Sequence, residues 1–408
     1  MICRFKYLLL FPFIFSSLFG LNGIDQILED YQKGDLTLEE SLIYQVARLK
    51  SDPILPDRYK NSEPIKCGTP VLKALMENYH KLSPSGKEIL SKMGVNFNGL
   101  SPTFPRPSDL DLHYDSGIFR FHYTLTGEDA VDLTDDDNDG IPDYINTVDS
   151  VFTEVYEMEI DTFSFVEPPS DSWYPYYVDN GGNGLYDIYI SKLSPGYYGW
   201  VMPESYAFHN SGDNEKSPDI TEQNALTSYM EIRNNYNGFQ NTEIENIQVT
   251  AAHEFFHAIQ FGYDGWEKTW LLEATAVWME DEVFDDVNDY YQYLQIWFNE
   301  PNVALDYSPY HNYNPNYNPE FDTGGNSRHW YGSCIFFRYI SEHIGDYSLI
   351  RTIFENSILY NSYEADYTIT TIDEILSKHG SDFKETLQKM AVANRVLSSD
   401  PIVGEYSY

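Results

Sequence analysis

The stretch from Val249 to Asp264, VTAAHEFFHAIQFGYD, constrains this chain more than any other. Thr250, Ala251 and Ala252 lead in, Phe255 and Phe256 fill the gap between two histidines, and Ala258 and Ile259 follow. Glu254 is the only charged residue before Asp264. A helix this apolar on every side belongs in an interior. A glutamate between two histidines is costly there unless a cation or another partner meets it. The spacing favours a cation. Residues four apart on a helix differ by about 40° around its axis, so His253 and His257 aim at one point. Glu254 is turned by about 100° from His253 and flanks that point, where a carboxylate can take a proton from a polarised water and pass it on. Neutral imidazoles around a zinc ion, at about 2.0–2.1 Å, would satisfy this arrangement. The bland alternative is an amphipathic helix whose histidines merely complete core hydrogen bonds.

A third ligand must come from elsewhere. In the pattern HExxHxxGxxH it lies six residues after the second histidine, but this chain has Gln260 and Tyr263 where that glycine and histidine would stand. The next apolar run, TWLLEATAVWMEDEVF, offers Glu273 among Trp270, Leu271, Leu272, Ala274 and Ala276. An acid so placed wants a positive partner, and zinc would supply one. Asp264 is the weaker rival. Glu280, Asp281 and Glu282 read as the solvated end of that helix.

The rest of the chain suggests an α+β protein. Residues 24 to about 100 carry apolar positions at helical spacing, as in DLTLEESLIYQVARL, where Asp35 or Thr37 would cap the helix. LSPTFPRPSD, with its three prolines, reads as a linker. GIFRFHYTLTG alternates like a half-buried strand, YDIYISKL and TSYMEIRN read as further strands, and from Ile247 onward the pattern is mostly helical, apart from the loop DYSPYHNYNPNYNPEF. A strand-rich part followed by a helix-rich part makes one α+β unit. The expected boundaries are a leader over 1–23, a helical segment with its Pro-rich linker over 24–107, and a main domain over 108–408.

The leader pairs Arg4 and Lys6 with an apolar core from Tyr7 to Phe19, then Gly20 and Gly23. This is signal-peptide length, and no second apolar stretch of about 18 residues exists. The expectation is a secreted or cell-surface protein without stable membrane insertion. Acidic residues number 64 against 25 basic ones, a formal charge of -39. That sign argues against nucleic acid and against anionic membrane surfaces. If the charge reaches a cleft, basic or neutral peptides are favoured. Once Cys3 leaves with the leader, Cys67 and Cys334 remain, too few for a disulfide scaffold.

HEFFH followed by WLLEATAVWMED resembles the gluzincin type of metallopeptidase, in which a second helix supplies a glutamate ligand. More closely, the chain is similar to a family of secreted bacterial zinc metalloproteases, through FRFHYTLTGEDAV, the acidic DxDxDGxPDY loop, NGLYDIYI, WLLEATAVWMEDEV and HWYGSCIFFRYI, across most of residues 115 to 395. The resemblance implies a zincin-like fold, zinc, and hydrolysis of peptide bonds. It implies His253, His257 and Glu273 as ligands and Glu254 as general base. It also implies an oxyanion donor on the later helix, for which Tyr331 and His329 both qualify. TSYMEIRN takes the place of the edge strand along which such enzymes align an extended substrate. One departure stands out. Gluzincins often set an Asp four residues after the ligand glutamate to orient a histidine, and here that position is Val277.

Two other features suggest ligands. DDDNDGIPDYIN places Asp135, Asp137, Asp139 and Asp143 around one hard cation, with a backbone carbonyl from Ile141 and Gly140 at the sharp turn; structural calcium is expected. DNGGNGLYDIYI (Asp179, Asn180, Asn183, Asp187) is either a weaker second calcium site or a glycine-rich turn. EPIKCGTP resembles the PRCGxP cysteine switch, which implies Cys67 as a latency ligand to zinc and residues 24 to about 105 as a removable pro-segment. The alternatives for Cys67 are a buried free thiol or a disulfide to Cys334. For the whole chain, the competing functions are a calcium-stabilised adhesin or glycan-binding protein, suggested by its 35 tyrosines, and a zinc amidase acting on a non-peptide substrate.

Overall fold

The computed structural model describes residues 21–97, 102–207, 221–299, 301, 303–307, 328–357 and 368–396. Residues 1–20 of the expected leader, most of the Tyr/Asn/Pro loop and the final residues lie outside these.

The N-terminal part contains α1 (Gly23–Gln32), α2 (Leu38–Leu49), β1 (Ile65–Cys67), α3 (Thr69–Asn78) and α4 (Pro84–Lys92). Thr37 caps α2 through a capping box with Glu40, and Ser83 caps α4. A short hairpin, β2 (Asn96–Phe97) with β3 (Pro102–Thr103), leads into β4 (Leu112–Ser116), β5 (Phe119–Tyr123) and α5 (Asp143–Tyr156). Then come β6 (Tyr186–Ser191), β7 (Tyr197–Tyr206) and β8 (Leu226–Arg233). The helical part follows: α6 (Glu243–Asp264), α7 (Thr269–Val283), α8 (Tyr291–Asn299), α9 (Arg328–Gly332), α10 (Cys334–His343), α11 (Tyr347–Ser357), α12 (Thr368–Lys378) and α13 (Phe383–Val396).

Six strands form one mixed sheet in the order β1-β7-β8-β6-β5-β4. The architecture is therefore mixed α/β, compatible with the α+β expectation. β8 lies inside the sheet, parallel to β6 and antiparallel to β7. TSYMEIRN is thus not an edge strand, because both of its neighbours are already paired. The outer edge of β7 is taken by β1 in parallel register, Ile65 opposite Tyr197 and Cys67 opposite Gly199.

The N-terminal part shares the main core instead of forming one of its own. Ile27, Val46 and Leu75 belong to the same buried cluster as Val201, Phe255 and Phe336. The Pro-rich stretch is likewise anchored. Phe104 is buried, and Arg106 bonds the carboxylates of Asp187, Asp171 and Glu204. Multiple carboxylates lift the Arg106 pKa despite its burial.

Candidate metal centre

α6 starts on a capping box between Thr242 and Glu245 and then runs buried from Val249 to Asp264. Its path beneath the sheet depends on a glycine. A Cβ at Gly199 of β7 would lie 3.1 Å from Glu254 Cγ, Thr250 Cγ2 and the Glu231 carbonyl oxygen, so strand and helix meet almost backbone to side chain. A tight turn then sends the chain back as α7. Asp264 accepts from the Trp266 and Asn224 nitrogens, at 2.8 and 3.2 Å. A Cβ on Gly265 would run into Leu226, at 2.1 Å. Asp264 therefore serves the turn, away from the histidines.

Glu273 of α7 reaches both histidines. Its Oε1 lies 3.2 Å from His257 Nε2 and its Oε2 lies 3.3 Å from His253 Nε2. The two Nε2 atoms are 3.1 Å apart. Cys67 joins from β1, 186 residues before His253. One donor atom from each of Cys67, His253, His257 and Glu273 lies within 4.8 Å of the others, and all four residues are buried. Four ligands placed tetrahedrally at about 2.0–2.3 Å from one ion would stand roughly 3.3–3.6 Å apart. The nitrogen and oxygen spacings here approach that. Two buried carboxylate oxygens, Glu273 Oε2 and Glu254 Oε1, lack a hydrogen-bond partner among the described residues. Donor types, spacing and orphaned oxygens together fit a cation, and the cluster could hold a metal ion.

Val277 cannot orient an imidazole, and other residues do. Glu280, seven residues after Glu273 and so about 20° from it around the helix, has its Oε1 2.7 Å from His253 Nδ1. Gln260 Oε1 is 2.7 Å from His257 Nδ1. The Gln260 amide in turn donates to the Leu272 carbonyl and Thr275 Oγ1, both at 2.9 Å, tying α6 to α7. Both imidazoles thus present Nε2 to the centre. The expectation that Glu280 is part of a solvated helix end is overturned: it is 2% exposed and ion-paired to Lys66 at 2.9 Å. Glu280 falls at a helical repeat of Glu273, and that periodicity was the available signal.

Electrostatics make the cluster hungry for positive charge. Burial alone would depress His253, but Glu273 and Glu280 more than offset it and lift its pKa to about 9. Burial would raise Glu273, yet His257 and His253 hold it near 2. Burial also pushes Glu254 up, against the pull of both histidines. It pushes the Cys67 thiol well up, with Glu254 and Glu273 adding to the effect. Cys67 Sγ donates to Glu254 Oε2 at 3.4 Å and accepts from Thr69 N at 3.3 Å. Cys67 and Cys334 are both free thiols, so no disulfide joins them.

Tyr331 borders the centre, its ring centroid 6.2 Å from that of His253. Burial, followed by the charges of Glu273 and Cys67, raises its pKa strongly. His329 lies elsewhere. It pairs with the Ala304 carbonyl at 3.0 Å and stacks on Trp297, and burial lowers its pKa to about 4. His329 and Tyr331 are two residues apart on α9, about 200° around the helix, and it is Tyr331 that borders the cluster.

In the acidic loop, Asp135, Asp137 and Asp143 bring carboxylate oxygens together. Asp139 is turned inward to the Ile141 and Asn146 nitrogens, at 2.7 and 3.3 Å, so it does not join that trio. The second acidic stretch forms no comparable group. Asp179 and Asn180 cap a glycine turn, while Asp187 pairs with Arg106 and His122. No helix among the described residues is long and apolar enough to cross a membrane. Compared with known protein families, curated proteins and solved structures, the chain matches none.

Proposed function

We propose that this chain is an exported zinc-dependent peptidase of zincin type, held closed by its own N-terminal segment. The observation that carries the reading is the buried group of Cys67, His253, His257 and Glu273 with Glu254 directly alongside. His253, His257 and Glu273 would hold zinc, and Cys67 would fill the fourth position. When bound, zinc supplies Lewis-acid chemistry at a carbonyl and makes water more acidic. Glu254 accepts the proton of the attacking water and returns it to the leaving nitrogen, a role suited to a carboxylate whose pKa burial raises. The Tyr331 hydroxyl donates to the developing oxyanion. Glu280 and Gln260 hold the two imidazoles in their tautomers. β7, once β1 withdraws, offers an open edge to an extended peptide.

A second reading has its own support. Four buried protein donors with no open position are also the pattern of a structural metal site. Zinc content and casein cleavage separate the two in the full chain with Cys67→Ala, alone and combined with Glu254→Gln. The peptidase reading expects one zinc per chain in both, with cleavage in the first and at least 100-fold less in the second. Zinc retained without cleavage by Cys67→Ala, or cleavage unaffected by Glu254→Gln, refutes it.

A further inference from the structure

β1 does more than present a cysteine. The residue before Cys67 ends in a slot that is otherwise anionic. Lys66 Nζ lies 2.9 Å from Glu280 Oε2 and 2.9 Å from Asp289 Oδ2, and 5.0 Å from the centroid of the Tyr198 ring. Lys66 is 3% exposed, and both carboxylates are buried. Each carboxylate has its other oxygen engaged: Glu280 Oε1 with His253 Nδ1, and Asp289 Oδ1 with Asn241 Nδ2 at 2.8 Å. The other oxygen of each is thus turned to a cation, and among the described residues Lys66 is the one that ion-pairs with both carboxylates.

Lys66 and Cys67 share a three-residue strand. Withdrawal of that strand would free the metal's fourth position and empty the slot in one movement. Two buried carboxylates and the face of a tyrosine would then lack a counterion, a costly arrangement that a new ammonium group reverses. We infer that, given the peptidase reading, the slot between Glu280, Asp289 and Tyr198 is a specificity subsite for a basic side chain of the substrate, with Lys66 as its internal stand-in. Its position beside Cys67 places the selected residue next to the bond to be cleaved. Two single-oxygen contacts at equal distance suit a compact ammonium better than a guanidinium fork, so lysine is preferred over arginine.

Two experiments on the full chain test the subsite. In Lys66→Gly, n-butylamine is expected to restore the lost melting temperature saturably. n-Butanol at the same concentration should not, nor should the amine act on Lys66→Gly combined with Asp289→Asn. If Lys66→Gly folds only with the amine, refolding yield replaces melting temperature. Equal rescue by butanol, or rescue indifferent to Asp289→Asn, overturns the subsite. In the zinc-loaded chain carrying Lys66→Gly and Cys67→Ala, peptides with lysine beside the cleaved bond are expected to turn over at least tenfold faster than norleucine counterparts, and Asp289→Asn should bring that ratio towards one. Cleavage without such a preference refutes the subsite alone. Failure to cleave any peptide refutes the peptidase reading, and the amine rescue then decides the slot by itself.

Discussion

Replacing Glu280 with glutamine isolates what holds the candidate metal centre in register. The amide has the shape of the carboxylate and can still accept from His253 Nδ1, so the 2.7 Å contact survives as a neutral hydrogen bond. Its charge does not. Hydrogen bonds to charged groups net about 1.5–3 kcal/mol against about 0.5–1.5 for neutral ones, a loss of roughly 1–1.5 kcal/mol. Lys66 is left with Asp289 alone, at 2.9 Å, which adds to the loss. At about 1.4 kcal/mol per factor of ten, zinc affinity should fall about tenfold or more, within the 10–100-fold range for groups that orient metal-bound histidines. Competition against a zinc-chelating dye measures it, with near-UV circular dichroism to show that the fold persists. Val277→Ala is the control, since that side chain orients neither imidazole. A Glu280→Gln affinity within twofold of wild type would refute the assignment, as would an equal loss in Val277→Ala.

Three further outcomes are expected. In the metal-free protein, the His253 pKa raised from 6.5 to about 9 corresponds to about 3 kcal/mol. That stability is fully present below pH 6.5 and lost as pH rises through 9, so urea midpoints should fall across that window and stay flat once zinc is bound; the depressed Glu273 reports the same contact and is not counted again. Calcium should raise the melting temperature through Asp135, Asp137 and Asp143, with EGTA reversing it, and no shift on EGTA treatment would dismiss calcium. Gly199→Ala should destabilise by about 1–3 kcal/mol, by pressing a methyl against Glu254 and Thr250, and a urea midpoint equal to wild type would contradict this.

The local pattern carried far in this chain. Two histidines one turn apart share a face whatever surrounds them, and Glu273 stood out as an acid in an apolar run. Both readings concern residues on single helices, where 3.6-residue periodicity fixes direction. Failures came where a residue's surroundings are set by distant elements. Glu280 sits in a charge run and looks solvated until Lys66 arrives from β1, more than 200 residues earlier. Tyr331 and His329 are two residues apart, and only packing against Trp297 and Ala304 shows that the histidine turns away. The edge position was misplaced for a similar reason. Strand order is a property of pairing, and nothing in TSYMEIRN shows that β7 returns to cover it. Pro-rich composition suggested a linker, but Arg106 carries the charge that the buried Asp171 and Asp187 and the half-buried Glu204 need.

On the peptidase reading, charge balance would tie the closed state to the metal. Glu254, Glu273, Glu280 and Asp289 bring four carboxylates into one buried region. Against them the chain sets Lys66 and the imidazole of His253, whose pKa Glu273 and Glu280 raise against the effect of burial. A divalent ion held by His253, His257 and Glu273 would displace a proton from His253 and neutralise the cluster around Glu273, but Glu280 meets His253 at Nδ1, so the place of Lys66 between Glu280 and Asp289 would stay unfilled. On the peptidase reading, the segment that would plug the centre would therefore also balance it. Removing it would leave a site whose metal half zinc could satisfy and whose outer half would still lack an ammonium group. On that reading a cation in the place of Lys66 would favour the opening, so a basic substrate would stabilise the open form as well as occupy it.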